Sequence, residues 1–258
     1  MPEKPVCEAN DIELIDPVPV TFYGINSAPG HNRARAKFVL KTWESHCPGA
    51  TIQDIARSRY DNYICLIPGK RDDKVVVGAH YDKVGEGKGI ADNWSGVMIT
   101  SQLIEYFVHN QPEYTLEFVA FAEEERGMVG SSAYLQALLR KIEKESLVAM
   151  INIDTIGLKP VVIDEHSTAG LGCLARNTAR ALQIEFSQSS WDAITGDWEP
   201  FAKQNIPVLN LHSVDARTIK RIHSRRDKSG NVDEDLMQDA YHLVLNVILK
   251  LPEMSTSG

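Results

Sequence analysis

The sequence predicts an α/β protein in which a mostly parallel or mixed central sheet is sandwiched between helices. Two observations carry this. Apolar runs of strand length alternate with stretches of helical period, and the run YTLEFVAFA at 114–122 is too uniformly apolar for a half-exposed strand, so it must be covered on both faces. A third agrees with them: acids and histidines recur at or just beyond the ends of apolar runs, where an open parallel sheet forms its clefts.

The elements follow in order. After a Pro-rich start, residues 31–46 carry Ala34, Phe38, Val39 and Trp43 at spacings that predict an amphipathic helix ended by Pro48-Gly49. NYICLIP at 62–68 and VVVGAH at 75–80 read as consecutive strands separated by a polar GKRDD turn. Residues 95–108 place Val97, Thr100, Leu103, Ile104 and Phe107 on one helical face, and 114–122 is the central strand. Ser131 is a candidate cap for a helix at 132–144. A strand at 147–153, a helix near 170–182, a strand at 206–212 and a closing helix at 234–250 complete the alternation. With no internal repeat, low-complexity tract or interdomain linker, residues 1–258 read as a single domain long enough to bury a sizeable core.

Composition narrows the partners. The net charge of −8 and scattered basic residues argue against nucleic acid, and no apolar run approaches membrane-spanning length. The start MPEKPVCEANDIELI lacks a leader's basic-then-apolar pattern, so a cytoplasmic location is expected. A removed leader would leave the same sequence, which keeps a secreted or periplasmic location open. Cys7, Cys47, Cys65 and Cys173 are far apart and form no CxxC pair, so free thiols are expected, with a Cys7–Cys47 disulfide as the alternative in an exported protein.

The chemistry lies in an ordered set of metal-competent residues: His80, Asp92, Glu125, Asp154 and His223. His80 ends a strand, and Asp82 two residues on can accept from its second imidazole nitrogen and fix the tautomer. Asp92, in GIADNWSG, could alternatively cap the following helix. In FAEEERGMVGS three adjacent glutamates leave a buried strand, where they repel one another unless cations neutralise them. Asp154 follows the strand LVAMINI, and His223 lies in a polar loop. His212 also ends a strand but has no matching context, and it is grouped with His31, His46, His109, His166 and His242 as packing or surface histidines. Two divalent metals bridged by one carboxylate, beside a free carboxylate, are suited to splitting an amide with water.

These segments resemble the M28 family of co-catalytic zinc aminopeptidases from about residue 31 to the carboxyl terminus. AHYDKV at 79–84, ADNWSG at 91–96, EERGMVGS at 124–131, NIDTIG at 152–157 and IHSRRD at 222–227 resemble its five motifs in family order. The resemblance implies a zinc-aminopeptidase-like (phosphorylase/hydrolase-like) fold and two Zn2+ ions bridged by Asp92. One ion falls to His80 and Asp154, the other to Glu125 and His223. Glu124 becomes the general base and Asp82 the residue that orients His80, while Glu123 is left as a neighbour. The implied substrate is a peptide with a free amino terminus.

Trp94 and Gly196-Asp197-Trp198 depart from the pattern at places expected to line the substrate cleft, and Arg225 and Arg226 are expected near its mouth. Two other readings are a single-zinc glutaminyl cyclase and a non-catalytic receptor-like protein on the same fold. An M20-type peptidase would need a lid domain between Asp154 and His223, a segment required here for the main domain.

Overall fold

Among the described residues there are eight strands, three more than the apolar runs announce. They are β1 (Ala50–Gln53), β2 (Asn62–Ile67), β3 (Arg71–His80), β4 (Tyr114–Phe121), β5 (Leu147–Ile153), β6 (Val161–Asp164), β7 (Phe186–Ser189) and β8 (Val208–His212). The helices are α1 (Asn32–His46), α2 (Ser95–His109), α3 (Val129–Leu138), α4 (Ala169–Ala181), α5 (Glu199–Lys203) and α6 (Glu234–Met254). This computed structural model describes residues 14–15, 18–189 and 195–254.

The strands form one mixed sheet in the order β1-β2-β4-β3-β5-β8-β6-β7. Its centre, β4-β3-β5-β8, is parallel, and antiparallel pairings join β2 to β4 and β6 to β8. The carboxyl ends of the four central strands therefore share one edge.

Alternation along the strands divides the interior into two cores. Val75, Val77 and Ala79 of β3 and Ala149, Ile151 and Ile153 of β5 join a large core with buried residues of α1, α2, α4 and α6. Val76 and Met150 instead meet Tyr134, Leu135 and Leu138 of α3 and Phe201 of α5 in a smaller one. Buried Glu117 is accommodated within β4 by Lys74 at 2.7 Å and the Tyr134 hydroxyl at 2.6 Å.

Several expectations are corrected. The strands at 62–68 and 75–80 are not neighbours, because β4 lies between them, and β3 begins at Arg71 so that most of the GKRDD turn is strand. Turn polarity cannot reveal that a later, more apolar strand takes the central place. The helix expected at 132–144 runs from Val129 to Leu138, and Ser131 lies inside it, its hydroxyl directed back to the Met128 carbonyl at 3.3 Å. Met128, in the left-handed region at φ 57°, makes the earlier start, while Leu139 and Ile142 turn onto the smaller core beyond the end. The edge strands β1 and β7, and β6 beside β7, have four residues each, too few for a clear period.

The free-thiol expectation is also overturned. Cys47, just past α1, is bonded to Cys65 of β2, and among the described residues no cysteine is free. Cys7 lies outside the described residues, and the alternative pairing of Cys7 with Cys47 is excluded by the Cys47–Cys65 bond. What spacing could not show is that α1 lies against β2. Because the bond closes a sequence separation of 18 residues, the Cys47→Ser/Cys65→Ser variant is expected to lose about 3 kcal/mol of stability, by restored freedom of the unfolded chain. Urea unfolding measures it, and an unchanged midpoint would show that the bond contributes nothing.

Candidate metal centre

Register assembles the cleft. Gly78 of β3 pairs with Asn152 of β5, and two residues further along each chain stand His80 and Asp154. His80 itself pairs with Phe121 of β4, so the tract from Glu123 to Glu125 leaves the sheet beside it. By alternation, His80 and Asp154 lie on the smaller-core side.

Asp92 joins two groups of side chains. Its Oδ1 lies 3.2 Å from His80 Nε2, which is 3.5 Å from Asp154 Oδ1. Its Oδ2 lies 3.0 Å from His223 Nε2, which is 3.0 Å from Glu125 Oε2. Each oxygen of one carboxylate thus faces a histidine that is itself beside a further acid. Ligand atoms of His80, Asp92 and Glu125 lie within 4.8 Å of one another, close enough to hold a metal ion. Glu124 reaches only 4.0 Å from His80 Nε2 and stands beside the groups rather than within them.

Neighbouring loops fix these positions. Asp92 does not cap α2, whose N-cap is Trp94 without a side-chain bond. Asp227 accepts the backbone N–H groups of Ile90, Ala91 and Asp92 at 2.8, 2.8 and 3.1 Å, tying the Asp92 turn to the loop that carries His223. Asn93 donates to the Ile153 carbonyl at 2.9 Å and accepts from the backbone N–H groups of Gly96 and Thr155, bracing the end of β5. Gly96 is required there, since a Cβ would lie 2.4 Å from the Ile153 oxygen.

Asp82 has a double role. Its backbone carbonyl is 3.2 Å and one carboxylate oxygen 3.5 Å from His80 Nδ1, and the carboxylate accepts the backbone N–H groups of Glu124 at 3.0 Å and Glu125 at 3.3 Å. It therefore sets the glutamate turn as well as the imidazole. Glu123 turns away, in the left-handed region, and pairs with Arg126 at 2.8 Å.

The electrostatics are those of an acidic cluster in a confined space. Burial pushes the Glu124 carboxyl up to about 9, with Asp197, Asp154 and Glu125 adding to the rise against the opposing effect of His80. Burial likewise raises Glu125. Asp92 is held well below the usual range: burial opposes this, but the hydrogen bonds from His223 and His80 outweigh it. Hydrogen bonds to Asp92 and Glu125 lift His223 to about 10. Both glutamates therefore hold their protons more readily than an exposed carboxyl, and among the described residues Glu125 Oε1 is buried without a hydrogen-bond partner. This donor set fits divalent metal.

Other expectations are settled by position. His212 is buried with its Nε2 3.0 Å from Asp164 Oδ2, and its Nδ1 accepts the Val214 N–H, so both ring nitrogens are engaged. His166 pairs with the same Asp164 and stacks on Trp198. Trp94 does not line the cleft: it is fully buried, bonded through Nε1 to the Gly24 carbonyl and packed edge-on against Phe38. Asp197 and Trp198 are also buried and lie outside the cleft wall, which Thr195 reaches. Arg225 and Arg226 are exposed on the His223 loop.

Arg35 went unnoticed in the sequence. Fully buried, it donates to the carbonyls of Pro29, Tyr81, Lys88 and Gly89 and lies 5.0 Å over the Trp94 ring, bracing the loops under the site. Its helical position looks like an ordinary polar face. Asp227, by contrast, was visible in IHSRRD, but its backbone partners were not.

Residues 62–248 match peptidase family M28, and the chain belongs to that family. A probable leucine aminopeptidase of Arthroderma benhamiae is 36% identical over 202 residues, 72% of this chain and 56% of that protein. In fold, the chain is similar to the LapA aminopeptidase of Legionella pneumophila, with a TM-score of 0.76, 17% identity and coverage of 90% of this chain and 67% of the other. It is also similar to a glutaminyl cyclase of an Acidobacteriales bacterium, with a TM-score of 0.75, 19% identity and coverage of 90% and 92%. The chain spans between 8% and 56% of the length of curated relatives such as these.

Proposed function

We propose that this chain is a zinc-dependent aminopeptidase that removes the amino-terminal residue of peptides. The observation that carries the reading is the division of Asp92: one oxygen faces His80 and Asp154, the other faces His223 and Glu125. His80, Asp154 and Asp92 would hold one zinc ion, and His223, Glu125 and Asp92 a second. Bound there, the ions supply a low-pKa water and electrophilic polarisation of the scissile carbonyl.

The chain's own groups do the rest. Glu124 takes a proton from the attacking water and passes it to the leaving amine. Asp82 holds His80 in one tautomer and keeps the Glu124–Glu125 backbone in place. A cavity of about 290 Å³ lined by His80, Glu124, Asp154 and His223 receives the substrate. That is a small ligand site, suited to a chain end. Its carboxylates accept from a free α-ammonium group, and an acetylated terminus leaves those acceptors unpaired.

The paired half-sites favour this reading over a single-zinc cyclase, and retention of all five candidate ligands favours it over a non-catalytic protein. The segment between Asp154 and His223 forms β6, α4, β7, α5 and β8 of the main sheet and its cover, which leaves no room for the lid of an M20-type enzyme. The net charge of −8 supports peptide rather than nucleic acid as partner, and among the described residues no helix is long and apolar enough to cross a membrane. The Cys47–Cys65 bond supports an oxidising compartment in place of the cytoplasmic location expected from sequence.

Matched short peptides with free and acetylated amino termini test the activity. The free peptide is expected to lose one residue at a time, and its acetylated twin to resist. Mass spectra showing equal cleavage of both, or internal cuts, reject exopeptidase action. Loss of ammonia from a glutaminyl peptide without release of an amino acid selects the cyclase.

A further inference from the structure

The wall of the cleft that carries His223 differs in charge from the rest of the chain. Val214, Ile219, Ile222 and His223 line the cavity, all from the loop between β8 and α6. Between and just beyond them stand Arg217, Lys220, Arg221, Arg225, Arg226 and Lys228, every one exposed. The tract from 217 to 228 holds one acid, Asp227, which is buried and already accepts the backbone N–H groups of Ile90, Ala91 and Asp92. A chain of net charge −8 thus places a dense basic band beside its site.

These cations are not engaged elsewhere. Among the described residues none of the six forms an ion pair, whereas Lys74, Arg126 and Lys159 pair with Glu117, Glu123 and Asp215. The loop opposite, packed on Ser224 at Gly87, adds Glu86 and Lys88, one charge of each sign. The band is held in place: the Thr218 hydroxyl accepts from the Asp215 N–H and donates to the Ser213 carbonyl, and the Asp227 carbonyl accepts from the Lys88 N–H. Lys220, Arg221 and Arg225 lie within two residues of Ile222 or His223, so their backbones are at most about 8 Å from the cavity wall. That is about one screening length at physiological salt, so the charges act at the mouth without a fixed side-chain orientation.

We propose that this basic rim receives the part of the peptide beyond the scissile bond and selects substrates carrying aspartate or glutamate there. The proposal rests on the aminopeptidase reading of the site. A peptide held by its amino end in a cavity of about 290 Å³ must lead its later residues out past the rim, one side of which is this loop. Each extended residue advances about 3.4 Å, so the next three residues run over the band. Carboxylates there meet exposed cations without the cost of burial, and lysines meet like charge. The two proposed zinc ions would balance Asp92, Glu124, Glu125 and Asp154, so the cleft's own acids do not cancel the rim.

Peptide amides Leu-Ala-Glu-Glu, Leu-Ala-Gln-Gln and Leu-Ala-Lys-Lys, identical at the bond cut, test this by kcat/KM and by calorimetric binding to the zinc-loaded Glu124→Gln protein. At low salt the glutamyl peptide is expected to be favoured about tenfold over the lysyl one, chiefly through KM, with the ratio falling below about twofold near 1 M salt. Arg225→Glu/Arg226→Glu should invert the order while leaving the glutaminyl peptide unchanged, and Arg225→Gln/Arg226→Gln should weaken it. Equal values for glutamyl and lysyl peptides in the unaltered protein overturn the proposal whether or not the variants fold. So does an unchanged ratio in a folded Arg225→Glu/Arg226→Glu protein. A free-acid Leu-Ala-Ala-Ala favoured over its amide, with no gain from glutamate side chains, overturns it in favour of the terminal carboxylate. Tighter binding of a single-stranded oligonucleotide than of the glutamyl peptide overturns it in favour of polyanions. Charge-dependent binding without trimming keeps the rim and rejects the peptidase, while trimming of all three peptides at equal rates does the opposite.

Discussion

Glu124→Gln is expected to lower kcat on peptides by two to four orders of magnitude while leaving zinc content unchanged. The substitution keeps the side chain's shape but removes its ability to take a proton. Glu124 stands 4.0 Å from His80 Nε2, outside the close groups formed on Asp92, so its loss removes no member of either half-site. Glu125→Gln is the matched comparison. Glu125 Oε2 lies 3.0 Å from His223 Nε2 beside Asp92, so its neutralisation should lower metal content first and activity in consequence. Steady-state kinetics and zinc per chain, measured on both variants, decide the matter. If Glu124→Gln lost metal and Glu125→Gln kept it, the frame within the three glutamates would be wrong by one residue.

Chelation should have an equally large effect, abolishing peptidase activity and lowering the melting temperature, with both restored by about two equivalents of zinc. Asp92, Glu124, Glu125 and Asp154 share a confined space, and Glu124 is pushed up to about 9 first by burial and then by the neighbouring acids. Cations that bind only the folded site relieve the repulsion among these acids, and they add stability in proportion to RT ln(1 + [L]/Kd). Asp92→Ala should lose both ions together, since each half-site depends on one of its oxygens. Titration with zinc monitored by activity and melting temperature tests the stoichiometry. Full recovery at one equivalent, with no further change at two, would favour a single-metal enzyme.

Some features of the site were open to sequence reasoning because they depend on local order. A histidine ending an apolar strand, an acid two residues on, and glutamates leaving another strand mark the carboxyl edge of a sheet wherever the strands are finally placed. The alternation of apolar runs and helical periods sufficed for the layer arrangement for the same reason. Local order was insufficient where partners are distant. Nothing in KFVLKTWESHC indicates that Cys47 meets Cys65, or that Arg35 threads its guanidinium between four loop carbonyls.

The sequence by itself determined the α/β class and singled out the candidate site residues, through strand-end positions and motif spacing. Tertiary structure alone decided that β4 separates β2 from β3, that Asp92 divides its oxygens between two histidines, and that Asp227 binds the backbone of the Asp92 turn. It also decided that His212, at the end of β8, is closed off by Asp164. The division has a physical cause: periodicity and motif spacing are written along the chain, whereas hydrogen-bond partners, burial and charge coupling arise only when segments far apart in sequence are packed together.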